Sequence, residues 1–373
     1  MSLTSKPNID FPLNKGESNV QERKKKEWII ESVLRRLKNE CFYGTDEQKF
    51  NCTIEALLSS KSRFSLLLLK SLDTYLAIFN NEDSKAKDLP LWIKLMIHGN
   101  GSRGFGKEIS RNTDKLFNLF GISTLSELTK NLNDFKLLYQ LGQYKTLSSF
   151  TEYTHSSYPL RSKIWLDKIT TKELHECLSK HAIPDFEKKL IQSQYWFNLN
   201  SSLSICEIEK CFSEKKNFTN DKELLAEIQI INRANYFYHK TNKSLEIEKS
   251  FEKVDLLSAQ IADQEVSAHI KGNIFGHKAK IAKSQKKLSN AKNYLQKAKE
   301  LDYGFFEYDY LLAELKYKNE PQVALYLYEE ALKTSPVFYD LIFDYGRQLW
   351  DMGLTSEANH LESLIITLGM EIE

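Results

Sequence analysis

Turn-forming residues are scarce in this chain, which has only 14 glycines and 7 prolines among 373 residues. Because glycine and proline mark turns, so few of them over this length favour long helices. Strand patterns are almost absent, and the β-branched run IQII at 228–231 lies inside a helical periodicity. We therefore predict an all-α fold.

An excess of charge of one sign is also missing, since 52 lysines and arginines are balanced by 50 aspartates and glutamates. A dedicated nucleic-acid-binding protein usually has a clear basic excess, so this balance argues against that class. The five cysteines are odd in number and scattered, which predicts reduced thiols rather than a disulfide framework. We therefore expect a cytoplasmic protein.

Long hydrophobic runs are absent as well. The longest, FSLLLLKSLDTYLAIF at 64–79, is interrupted by Lys70 and Asp73 and is shorter than the ~20 residues of a bilayer span. It predicts a buried helix and no membrane span. Residues 1–26 lack the apolar core of a signal peptide, and their proline, glycine and charge content predicts a disordered tail.

The strongest regularity that is present is a C-terminal repeat of small and large residues. The pattern Ala-x3-large-x2-Ala begins at Ala291 and again 33 residues later at Ala324, and Ala358 follows after another 34 residues. Small residues also occur on the packing faces of the helices that precede these positions: Ala279, Ala313 and Gly346. Small residues let two helices approach closely, while the large residue fills the gap to the neighbouring unit.

This spacing resembles the tetratricopeptide repeat (TPR) family, in which helix-turn-helix units of this length stack into a right-handed superhelix. The most explicit unit spans 305–336 and has its matching residues at Tyr308, Leu311, Ala324, Tyr328, Ala331 and Pro336. Further units begin near Gly272 and at Tyr339, although Glu362 stands where the family has an aromatic residue or leucine. The resemblance covers about residues 270–370 and implies an α-solenoid there.

Length sets the domain organisation, because 373 residues exceed a single core of roughly 100–200. We predict the tail at 1–26, then an N-terminal helical domain at 27–220, followed by a TPR-like solenoid at 221–373. A further division of the helical domain near 80–110 stays open. So does the alternative that this part is a degenerate extension of the solenoid.

A glycine-rich loop is the most enzyme-like feature of the sequence. GSRGFGKE at 101–108 fits the GxxxxGK pattern of phosphate-binding loops, but Glu108 replaces the Ser or Thr that ligates magnesium. Its carboxylate would repel phosphates. We therefore expect an inter-helix or partner-contact loop, with an anion-binding site as the alternative. The residues of that site would be His98, Arg103, Lys107 and Arg111.

Patterns for metal binding and catalysis are missing. The donors His175, Cys177, Cys206 and Cys211 lack the close CxxC pairing of zinc sites. No serine triad, paired-carboxylate, HExxH or dinucleotide pattern occurs. We expect no catalytic residue, no metal and no cofactor, and we favour a protein that is not an enzyme.

The repeat region supplies the best candidates for a binding surface. The segment 277–300 has eight lysines and one glutamate, which is either a solvated face or one end of a groove. Aromatic side chains on the first helices of the units offer apolar anchors, and mixed charges suit a partner of mixed sign. The predicted partner-binding residues are Lys280, Lys283, Phe306, Asp309, Tyr310, Asp340, Phe343, Asp344 and Arg347.

We therefore predict a non-enzymatic scaffold or adaptor that binds a protein or peptide in the groove of the solenoid. The alternatives are a nucleotide- or anion-regulated switch or enzyme that uses the loop at 98–111, and nucleic-acid binding through the lysine-rich helices. No polar capping helix follows the C-terminal helix, so a homodimer through this end is a further hypothesis. The apolar residues expected to be partly exposed there are Leu364, Ile365, Leu368, Met370 and Ile372.

Overall fold

The computed structural model describes residues 19–39, 46–79, 114–122, 135, 139, 144–150, 157–180, 182–213, 218–301, 306–333 and 335–370. Within these ranges all regular secondary structure is helical, which confirms the predicted all-α class. None of the helices described there is long and apolar enough to cross a bilayer. They include, in order, α1 (Asn19–Asn39), α2 (Glu47–Ser59), α3 (Arg63–Phe79), α4 (Tyr144–Ser148), α5 (Tyr158–Trp165), α6 (Thr171–Lys180), α7 (Asp185–Leu199), α8 (Ser204–Glu209), α9 (Asp221–Lys240), α10 (Ser244–Ser258), α11 (Gln264–Ser284), α12 (Leu288–Leu301), α13 (Phe306–Lys316), α14 (Pro321–Leu332), α15 (Tyr339–Asp351) and α16 (Thr355–Thr367).

Helix α1 begins inside the segment 1–26, which we predicted to be a disordered tail. Lys26 is buried and forms an ion pair with Glu22 one turn earlier, at 3.2 Å. Its ammonium group also donates a hydrogen bond of 2.7 Å to the carbonyl oxygen of Ser60. Because these contacts hold the first turns of α1 against the connection between α2 and α3, the tail prediction is wrong from Asn19 onward.

Helical hairpins follow one another in the C-terminal part of the chain: α9 with α10, α11 with α12, α13 with α14, and α15 with α16. Each helix from α9 to α16 packs against the next. The second helices of the last three hairpins begin 33 and 34 residues apart, which is the spacing of the sequence repeat. The repeated alanines Ala291, Ala324 and Ala358 are all buried. This arrangement fits a TPR-like solenoid.

Gly276 allows α11 and α13 to approach closely. A Cβ atom at this position would lie 2.8 Å from Cε1 of the Tyr308 ring. Tyr308 is buried, and its hydroxyl donates a hydrogen bond of 3.0 Å to Oδ1 of Asn273, so its ring has little freedom to retreat. The glycine of α15, Gly346, has more space, because the nearest atom to a Cβ at that position would be Cδ2 of Leu361 at 3.5 Å.

The N-terminal helices pack against the C-terminal end of the chain. Helix α16 contacts both α2 and α3. From α3, Ser71 donates a hydrogen bond of 2.9 Å to the carbonyl oxygen of Lys333, and Arg63 forms an ion pair of 3.5 Å with Glu329. One hydrophobic core contains residues from both ends of the chain. We expected Leu364 to be partly exposed, but it is buried because α2 and α3 pack against its helix.

The helices between these ends form two smaller hydrophobic cores. One is shared by α5, α6 and α7, and the other extends from α7 through α8, α9 and α10 to α11. Helix α7 therefore belongs to both cores and contacts α5 and α9 directly. The boundary that we placed at residue 220 stays a prediction.

Candidate partner-binding groove

A cavity of about 860 Å³ lies between α15, α16 and residues of the N-terminal part. Three large apolar side chains that line it are exposed: Phe343 by 55%, Trp350 by 47% and Ile366 by 69%. Contiguous apolar surface of this kind is uncommon on a monomer and marks binding sites. We call this cavity the C-terminal groove.

Helix α15 carries apolar residues on two opposite faces, which explains how it can serve both packing and binding. The face with Leu341, Tyr345 and Leu349 is buried in the core. Phe343 and Trp350 are seven residues apart, two turns along the helix, and lie on the other face. A helix that only packs against a core needs one apolar stripe. The second stripe is therefore available for a ligand.

The polar lining of the C-terminal groove is mainly basic. Among the described residues, its charged side chains are Lys49, Lys115 and Arg347 and one acid, Glu362. Arg347 is held in place by an ion pair with Asp344 at 2.9 Å, so part of its charge is already compensated. Basic groups beside an apolar wall favour a ligand with apolar side chains and a nearby carboxylate.

Two of the nine predicted partner-binding residues, Phe343 and Arg347, line the C-terminal groove. Asp340 is exposed on the same helix but is not part of this lining. Phe306 is the first residue of α13. The binding roles of these residues stay a prediction.

Other predicted residues are engaged in contacts between neighbouring hairpins. The pairs are Lys280 with Glu307, Lys283 with Glu314 at 2.6 Å, and Tyr310 with Asp344 at 3.0 Å. These contacts join α11 to α13 and α13 to α15. Burial, and then the charge of Asp344, raise the pKa of Tyr310, so its hydroxyl stays protonated and donates to that carboxylate. Because these side chains connect neighbouring hairpins, they are less able to contact a partner.

We predicted that the side chain of Asp309 faces the groove of the solenoid, but the structure places it differently. It is only 5% exposed and forms an ion pair with Lys299 near the end of α12. Burial raises the pKa of Asp309, although the charge of Lys299 opposes this shift. The prediction of a groove-facing carboxylate is therefore wrong, because this face of α13 packs against the preceding hairpin.

The loop residues His98, Arg103, Lys107 and Arg111 lie outside the described residues, so anion binding by this loop stays a prediction. In the described ranges, no three or more histidine, cysteine or acidic side chains are grouped so that they could hold a metal ion.

Groove residues that sequence reasoning missed include Trp350 and Ile366 on the repeat helices, and Lys49 and Lys115 on the N-terminal side. Trp350 could have been found from the sequence, since it continues the stripe of Phe343 after two helical turns. The two lysines could not, because they reach the groove only through the packing of the chain's ends.

The described helices define the class of this protein: an all-α chain whose C-terminal hairpins fit a TPR-like solenoid. No protein-family model matches the chain, and a search of curated proteins found no match. A search of solved structures matches it to a monomeric mutant of IFIT1 with Gppp-AAAA. The identity is 12%, the TM-score is 0.35, and the match covers 91% of this chain and 78% of that one. A likeness at this TM-score carries no argument about function, and membership in the TPR family stays a prediction.

Proposed function

We propose that this chain is a non-enzymatic binding protein whose C-terminal groove takes a short peptide segment of a partner protein. The observation that carries the proposal is the outer apolar stripe of α15, formed by Phe343 and Trp350, in one cavity with the exposed Ile366 of α16. Exposed aromatic residues in a concave site are typical anchors for a partner.

The chemistry of the groove specifies the partner segment. Burying a large apolar side chain contributes about 1.5–3 kcal/mol, so the three exposed residues supply a useful driving force. Association also costs several kcal/mol in lost freedom, which makes a dissociation constant in the micromolar range a reasonable expectation. Because the lining is mainly basic, we expect a segment with at least two bulky apolar residues flanked by aspartate or glutamate.

Selection from a random peptide display library on the full chain tests this proposal. Enriched peptides are expected to combine bulky apolar residues with an acidic residue. Changing Trp350→Ala removes an anchor, which typically costs about 2 kcal/mol of binding free energy. Fluorescence anisotropy should therefore show roughly 30-fold weaker binding of the selected peptides. Trp28→Ala is the matched control, because Trp28 is an exposed tryptophan of α1 that does not line the groove. Equal affinities of both variants for the selected peptides would contradict the proposal.

The basic lining gives a second prediction. Lys49→Gln is expected to weaken binding of an acidic selected peptide several-fold at low salt and to reduce the salt dependence of the association rate. The same substitution should leave the binding of a peptide whose acids are replaced by amides unchanged. Stopped-flow fluorescence at two salt concentrations measures both effects. An identical loss for the acidic and the amide peptide would show that Lys49 acts through packing rather than charge.

A further inference from the structure

Two arginines, Arg161 of α5 and Arg233 of α9, donate hydrogen bonds to α7, against which both of their helices pack. Arg161 is only 8% exposed, and Arg233 is partly buried. Burial, and then the positive charge of Arg161, lower the pKa of Arg233 to about 9. Both guanidinium groups donate hydrogen bonds to one short stretch of α7, residues 190–194, which places them near each other. At neutral pH Arg233 still carries its charge.

Neither arginine forms an ion pair with a carboxylate in the part of the chain that the structure describes. Nε of Arg161 donates a hydrogen bond of 3.0 Å to the side-chain oxygen of Gln194. Nη1 of Arg233 donates to the carbonyl oxygen of Leu190 at 3.0 Å and to the hydroxyl of Ser193 at 2.6 Å. All three acceptors are uncharged. Buried charges in proteins are usually paired, so two neighbouring cations without an acid need an explanation.

The acid on the neighbouring stretch of α7 does not neutralise this pair. Glu187 lies seven residues before Gln194, about two helical turns or roughly 10 Å along α7. Its carboxylate accepts a hydrogen bond from the hydroxyl of Ser157, at the start of α5. The positive charge of the cluster therefore stays uncompensated by α7.

Aromatic side chains fix the orientation of Arg161. Its guanidinium carbon lies 4.4 Å from the centre of the Tyr139 ring and 5.5 Å from that of Tyr158. The Tyr139 hydroxyl accepts a hydrogen bond of 2.6 Å from Nε1 of Trp165 and lies 3.1 Å from the side-chain oxygen of Gln194. Aromatic rings stack on the flat face of a guanidinium group, whereas its N–H groups donate hydrogen bonds in the plane of the group, along its edge. Among the described residues only Nε of this edge has an acceptor, which leaves the two terminal nitrogens for a ligand.

From this geometry we propose that Arg161 and Arg233 form a binding site for a phosphate group. Two adjacent guanidinium groups offer paired N–H donors that match the oxygens of phosphate, and their two charges suit a dianion better than a single carboxylate. The group could be inorganic phosphate or the monoester of a small molecule. This site is separate from the C-terminal groove and does not depend on the function proposed for it.

Thermal unfolding of the full chain in sodium phosphate, against sodium chloride at equal ionic strength and pH, tests the site. A ligand that binds only the folded state raises the melting temperature with its concentration. We expect a rise of several degrees that follows the binding isotherm in the wild type. It should be absent in Arg233→Gln and retained in Arg23→Gln, an exposed arginine of α1. A second arm with glycerol phosphate separates a monoester, which would act at lower concentration, from free phosphate.

The wild type alone provides a second readout in case Arg233→Gln fails to fold. Phosphate should slow the modification of Arg233 by phenylglyoxal, measured by mass spectrometry, while the modification of Arg23 proceeds unchanged. Equal melting temperatures in phosphate and chloride, with no protection of Arg233, would show an arginine–aromatic packing cluster only and would overturn the proposal. A rise that is the same in wild type and Arg233→Gln would also overturn it, since it reports a general ion effect.

Discussion

Changing Asp73→Ala is expected to destabilise the protein by about 3–5 kcal/mol, because the substitution removes a carboxylate that forms an ion pair with a buried arginine. Arg36 of α1 is fully buried and forms an ion pair with Asp73 of α3. Nη1 of Arg36 also donates a hydrogen bond of 2.8 Å to the hydroxyl of Ser32, which is neutral. Urea unfolding followed by circular dichroism measures the loss, provided that the slope of the transition is unchanged.

Two controls separate charge burial from other effects of this substitution. Glu27→Ala removes the acid of an exposed pair with Arg23 on the same helix and should change stability little. Adding Arg36→Met to Asp73→Ala also removes the buried positive charge and should recover much of the lost stability. A loss below about 1 kcal/mol for Asp73→Ala would contradict the role given to this pair in joining α1 to α3.

The second large effect is expected at Gly276, where any side chain meets the ring of Tyr308. Overpacking costs about 1–3 kcal/mol, which exceeds the gain of about 1 kcal/mol in helix propensity when glycine becomes alanine. Gly276→Ala should therefore destabilise the protein, and Gly276→Val should do so more strongly. Thermal or urea unfolding of the two variants gives the order directly.

Gly346→Ala is the matched control for this prediction, and we expect it to change the stability in the opposite direction. A Cβ there would make an ordinary contact with Leu361 at 3.5 Å, so the helix propensity of alanine is gained without a clash. We expect stabilisation of up to about 1 kcal/mol. If both alanine variants stabilised the protein, the claim that α11 and α13 lie too close at Gly276 for a side chain would be contradicted.

The repeat could be predicted from the sequence because its determinants are local. Ala291, Ala324 and Ala358 recur at the period of one hairpin, and each sits where two helices meet. Such spacing depends only on helix length and on the distance between adjacent helices. The all-α class follows for the same reason, since periodicity and the scarcity of turn residues act within short windows.

What the sequence did not reveal depends on contacts between distant residues. Arg63 and Glu329 are 266 positions apart, and no local pattern indicates that they pair. Because no local pattern shows that the N-terminal helices pack against the C-terminal end, the sequence predicts Leu364 to be partly exposed and does not indicate that Lys49 lies at a binding site. Asp309 was misplaced for a related reason, because its ion pair with Lys299 depends on how α13 packs against α12.

The central claim is that the C-terminal groove is the surface to which a partner binds. Hydrogen–deuterium exchange of the full chain, with and without a saturating selected peptide, tests it most directly. The account predicts slower exchange in α15, in α16 and in the residues 114–119, with no change in α11 or α12. Protection confined to α11 and α13, or spread over the N-terminal helices without α15, would contradict the assignment of the groove.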